Sequence, residues 1–109
     1  MIKVSVLYPN QPDAKFDMDY YTGKHVPLVL DRCGADVKPG GIERALPGGA
    51  FGMDAPYRAA GHLIFESREG MERSLGTHMP EFLADVPNFT NIQPVVQISE
   101  VVLEPGRRP

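Results

Sequence analysis

Ile2, Val4, Val6 and Tyr8 alternate with Lys3, Ser5 and Leu7, and this period of two predicts a first strand over Ile2–Tyr8. Pro9-Asn10-Gln11-Pro12-Asp13 ends it, because proline cannot continue a hydrogen-bonded ladder and Asn and Asp favour turns. A helix is then expected from an Asp17 N-cap to about Arg32. Phe16 and Tyr21 stand at the spacing of a hydrophobic staple, and Gly34 is placed to stop the helix. Gly41 to Leu46 reads as a second strand and Tyr57 to Glu66 as a third, with Pro47–Pro56 as the long loop between them. Ser67 opens a second helix whose Met71, Leu75, Met79, Phe82 and Leu83 share a face. The β-branched stretch Val95–Leu103 predicts the last strand. The order is βαββαβ, a single domain over residues 1–105, with 106–109 expected to fray.

Both helices contain the pattern Gly-x-His-x-Pro, as Gly23-Lys24-His25-Val26-Pro27 and Gly76-Thr77-His78-Met79-Pro80. A helical proline removes an N–H and clashes with the carbonyl four residues back. In each copy that earlier residue is glycine, the residue best able to absorb the distortion. A kink or break is therefore expected in both helices.

Composition narrows the function more than the fold. Eleven Lys and Arg against 14 Asp and Glu give a net charge of −3, and no basic stripe of the kind that reads a phosphate backbone is present. Nucleic acid is excluded as a partner. The apolar runs are only a few residues long, which argues against a membrane span, and no secretory segment follows Met1. A cytoplasmic protein is the expectation, so the acceptor pattern Asn88-Phe89-Thr90 carries no weight for glycosylation. The single cysteine, Cys33, rules out an internal disulfide.

Three histidines and four tyrosines are the main chemical equipment. His25 lies two residues before a helix-kinking proline and four after Tyr21, so Tyr21 and His25 share a helix face. A kink can turn such a ring into a cleft beside the sheet, where an apolar setting disfavours the charged imidazole and leaves it able to take a proton. The competing reading is that His25 caps the carbonyls freed at the break. His62, among Ala60, Leu63, Ile64 and Phe65, either points into a pocket or hydrogen-bonds within the core. His78 reads as a cap at the break in the second helix. No metal is expected, because the histidines lie on different elements without acidic partners at ligand spacing. Cys33 lies near a helix C-terminus, the wrong end of the dipole for an activated thiol. Gly48-Gly49-x-x-Gly52 precedes a strand rather than a helix, so it is a loop and not a phosphate cradle.

Several segments together resemble the EthD family, named for a protein associated with ethyl tert-butyl ether degradation. They are Ile2–Tyr8, Phe16-Asp17-Met18-Asp19-Tyr20-Tyr21 leading to His25-Val26-Pro27-Leu28, His62-Leu63-Ile64-Phe65-Glu66-Ser67, Asp85-Val86-Pro87-Asn88-Phe89-Thr90, and the closing strand. The most specific is Tyr-Tyr-x-x-x-His-x-Pro-Leu. The resemblance implies an α+β, ferredoxin-like βαββαβ sandwich with an antiparallel four-stranded sheet, paired with a second copy as a dimeric α/β barrel. It also implies a pocket between sheet and helices for a small, mostly apolar molecule. Physics agrees with the pairing, since two helices on one face of a sheet leave the other face bare.

The expected function is acid/base chemistry without a cofactor: isomerisation, cyclisation, decarboxylation, or oxidation of an activated substrate by O₂. His25 and His62 are the candidate catalytic residues, and Tyr8, Tyr21 and Phe65 the candidate substrate contacts. The alternative is a non-catalytic binding or accessory protein serving an oxygenase-based degradation pathway, such as the breakdown of ethyl tert-butyl ether.

Overall fold

Two strands flank β1 (Ile2–Pro9), and a third pairs with one of them, in a computed structural model that describes residues 1–109. β2 (Val37–Arg44), β3 (Tyr57–Phe65) and β4 (Val95–Glu100) complete an antiparallel sheet in the order β2-β3-β1-β4. α1 (Met18–Tyr20), a π-helical turn (Tyr21–His25) and α2 (Val26–Cys33) form one continuous helical arm, and α3 (Arg68–Asp85) is the second. This is the expected α+β fold with both helical arms on one face. No helix is long and apolar enough to cross a membrane.

The capping expectations hold. The Asp17 carboxylate accepts from the Tyr20 backbone N–H at 3.0 Å, and the Phe16 and Tyr21 rings meet with centroids 5.1 Å apart. Gly34 ends α2 at φ +61°, a left-handed conformation that a side chain would resist. Ser67 caps α3 by accepting from the Gly70 N–H at 3.1 Å.

The two Gly-x-His-x-Pro copies part company. In the first, the helix widens at Tyr21–His25, with the Val26 N–H bonding back to the Tyr21 carbonyl, before Pro27 enters at the start of α2. The widened turn takes up the distortion that Pro27 would impose on a regular helix. In the second, α3 continues through Pro80 to Asp85 without a break, and His78 caps nothing. Its ring lies beside Phe82 instead.

Two strands differ in extent from the sequence reading. β2 begins at Val37 because Pro39 sits on an edge strand, where a missing N–H is tolerated. Gly40 and Gly41 form a bulge there rather than a boundary, with Gly41 at φ +100°. β4 stops at Glu100, which pairs with Ile2, because β1 offers almost nothing beyond it; the Val101 N–H bonds to the Met1 carbonyl at 3.0 Å.

The core lies between sheet and helices in two parts. One packs Val4, Val29, Cys33, Leu63, Phe65, Met71, Leu75 and Phe82. The other packs Tyr8, Tyr21, Ala59, Phe89 and Ile92. Of the apolar face expected on α3, Leu83 is exposed rather than buried. Cys33 is a buried core thiol whose burial pushes its pKa up, so it is not an activated nucleophile.

Candidate active site

A cavity of about 80 Å³ separates the two halves of the core, and 14 of its 18 lining residues are hydrophobic. Val4, Val6 and Tyr8 of β1 and Gly61 and Leu63 of β3 form its floor; Val29, Leu75 and Phe82 come from the helices. His25, Tyr8 and Tyr21 bring polar side-chain atoms to this wall, which His62 of β3 also borders.

The π turn sets His25. The extra residue it holds brings Tyr21 and His25 into parallel stacking, with centroids 5.6 Å apart and an interplanar angle of 16°. Phe89 closes on the imidazole at 4.6 Å. His25 is 6% exposed. Its Nδ1 lies 2.8 Å from the Asp85 carboxylate, at the C-terminal end of α3. The other Asp85 oxygen accepts from the Tyr20 hydroxyl at 2.7 Å and from the Asn88 amide at 2.9 Å. Burial opposes ionisation of Asp85, but the hydrogen bonds from Asn88, His25 and Tyr20 outweigh it and hold the carboxyl below its ordinary range. An ionised Asp85 only accepts, so Nδ1 carries the hydrogen and Nε2 is the ring atom left to meet a ligand.

The two cavity phenols stay protonated. Burial, with the Tyr21 hydroxyl beside it, pushes Tyr8 well above the usual tyrosine range, and burial also raises Tyr21. Both are therefore hydrogen-bond donors throughout neutral and mildly alkaline pH. The Tyr21 hydroxyl lies directly over Gly61, where any Cβ would collide with it.

His25, Tyr8 and Tyr21 line one cavity; His62 borders its wall as well, but its ring nitrogens bond elsewhere, and Phe65 does not line it. His62 pairs with Ser5 across β1 and β3, and that pair alternates with Val4–Leu63 and Val6–Gly61 on the helix side. Strand alternation thus turns its imidazole to the opposite face of the sheet, where it bonds Ser5 and Glu43. Phe65 does face the helices, but it lies four residues from Gly61 along β3, about 13 Å at the rise of a strand. It is fully buried in the neighbouring half of the core. Asp85, the partner of His25, was not singled out from sequence. Sixty residues separate the two, and its only local signal was a place in the Asp85-Val86-Pro87-Asn88 run.

No family model matches the chain, and no curated protein matches it. Solved structures do. An EthD-like protein from Ralstonia eutropha JMP134 is 39% identical, with 98% of this chain and 96% of that one covered and a TM-score of 0.83. An ethyl tert-butyl ether degradation (EthD) family protein from Bacillus halodurans C-125 shares the fold at 18% identity, with a TM-score of 0.60 over 94% of this chain and 99% of that one. The identity to the Ralstonia protein over nearly the full length of both chains places this chain in the EthD-like family.

Proposed function

We propose that the chain is a general acid/base enzyme for a small, mostly apolar molecule bound between the sheet and the helices, with His25 as the catalytic base. One observation carries this reading: a buried imidazole is oriented through Nδ1 by an ionised carboxylate and borders an apolar cavity. Nε2 takes a proton from an acidic O–H or C–H of the substrate, and Asp85 stabilises the imidazolium that forms. The Tyr8 and Tyr21 hydroxyls donate to the oxygen on which negative charge develops. A positioned acid/base supplies a rate factor of ~10²–10⁴, which suits activated substrates such as phenols and enolisable ketones rather than an inert ether.

The test is proton exchange in D₂O, followed by NMR, for a panel of small enolisable apolar ketones. Wild-type protein should accelerate exchange for members that fit, and His25→Asn should lower the rate by ~10²-fold or more while leaving the fold intact. Acceleration that survives His25→Asn would remove His25 from the chemistry. Ligands that stabilise both proteins equally, with no exchange by either, would favour a carrier over an enzyme.

A further inference from the structure

One row of the sheet carries the cavity wall from edge to edge. On the helix side, Ile42 of β2 stands opposite Gly61 of β3, Gly61 opposite Val6 of β1, and Val6 opposite Val96 of β4. All four line the cavity. Val96 is nevertheless 48% exposed, and Ile42, at the other edge, 36%. The wall therefore runs out to the surface at both ends of the row.

The two ends differ in character. Two residues along β2 from Ile42, on the same side, stands the exposed Arg44. Two residues along β4 from Val96 stands Ile98, half exposed and again on the helix side, opposite Val4. From the helix layer, Leu83 of α3 lines the cavity and is 53% exposed. The helices thus stop short of β4, and the apolar wall continues outward there.

The polar groups lie further in. The Tyr21 hydroxyl sits over Gly61, two strand spacings from Val96, or ~10 Å. The cavity holds about 80 Å³, roughly half the ~150 Å³ of an apolar cavity that takes up benzene. A carbonyl head fills that space, and the remainder of a larger ligand has to lie along the row. Its floor there is Val6 and then Val96, one residue wide, which suits an unbranched chain.

We propose that the substrate is a linear aliphatic ketone whose oxygen faces the tyrosine hydroxyls and whose alkyl chain leaves over Val6 and Val96, towards the β4 edge. Val96 and Leu83 set the preferred chain length. The inference rests on the reading of the His25 cavity as the substrate site, and it narrows that substrate to a chain with one oxygen-bearing end.

The experiment titrates methyl ethyl, methyl butyl and methyl octyl ketone into the intact protein by isothermal titration calorimetry. With the carbonyl over Gly61, a butyl chain ends over Val6 and an octyl chain reaches Val96. Affinity should rise through the series, by roughly fourfold for each methylene buried. Val96→Asp and Leu83→Asp should each remove most of the gain from butyl to octyl. Leu83 is a surface position, so its variant carries the test if Val96→Asp folds poorly by circular dichroism. Val102→Asp, at an exposed apolar residue past the end of β4, should leave the gain intact. A flat series would overturn the proposal, as would a gain that Ile42→Asp abolishes and Val96→Asp does not. A flat series in a dimer that Val96→Asp dissociates would give the β4 strip to a second copy instead. Calorimetry reads binding alone. A rising series without proton exchange by any member would therefore support the chain-binding row and overturn the enzyme, whereas exchange of short ketones with a flat series would do the reverse.

Discussion

A single carboxylate decides how His25 is held. Asp85 takes three hydrogen bonds, from His25, Tyr20 and Asn88, and their sum depresses its pKa in the folded chain. The unfolded chain binds a proton near pH 4, and the folded chain binds it lower. Stability from this site is therefore fully present above the unfolded value and is lost as pH falls through the folded one. Asp85→Asn leaves donors facing donors, and it should cost about 1–3 kcal/mol at pH 7. In denaturant titrations repeated down to pH 3, the gap between the two proteins should narrow below about pH 4. A constant gap would mean that the carboxylate's charge contributes nothing. Tyr20→Phe removes only one donor and should reproduce a smaller version of the same curve.

At the scale of elements, the sequence was readable where one local interaction decides the outcome. Asp17, Ser67 and Gly34 cap helices because the groups they satisfy lie within a few residues. It was unreadable where a partner strand decides. The strand expected from Gly41 begins instead at Val37, because an edge position turns Pro39-Gly40-Gly41 into a bulged stretch of strand. The identical Pro motif gives a π turn in one helix and an uninterrupted helix in the other, so the surroundings of each copy, rather than the motif, set the result. The site follows the same rule. His25 and the two tyrosines were legible because the aromatic pair at Tyr21 and His25 is a local one. Asp85 and the outward turn of His62 were hidden in tertiary and strand register. Gly61 shows what register demands, since β3 must have no side chain where the Tyr21 hydroxyl docks. Gly61→Ala should push that ring out of its stack on His25 and cost about 1–3 kcal/mol by overpacking. Thermal unfolding measures the loss. An unchanged Tm would mean that the Tyr21 ring moves freely, which its burial argues against.

The whole molecule is flat for its length. It extends 39 × 39 × 20 Å, and its radius of gyration of 14.5 Å exceeds the ~13 Å of a rounded domain of this size. The shortfall is a layer: helices cover one face of the sheet, while Ser5, Leu7, Ala60, His62 and Ile64 lie on the other with nothing from this chain above them. Along the β4 edge, Val95, opposite Leu7, is about half exposed and continues the apolar area, while Val96 and Ile98, opposite Val6 and Val4, are about half exposed on the helix side. A second copy is the partner that fits by symmetry, because a two-fold axis sets the same strands face to face. Light scattering at micromolar concentration should therefore report a homodimer. Leu7→Lys with Ile64→Lys, both on the uncovered face, should yield monomers that keep the far-ultraviolet circular dichroism of the wild type. A wild-type chain that is monomeric at micromolar concentration would leave the fold standing and remove the barrel. Dimers that survive both lysines would instead move the interface to the β4 edge, where Val96→Lys and Ile98→Lys become the variants that dissociate it.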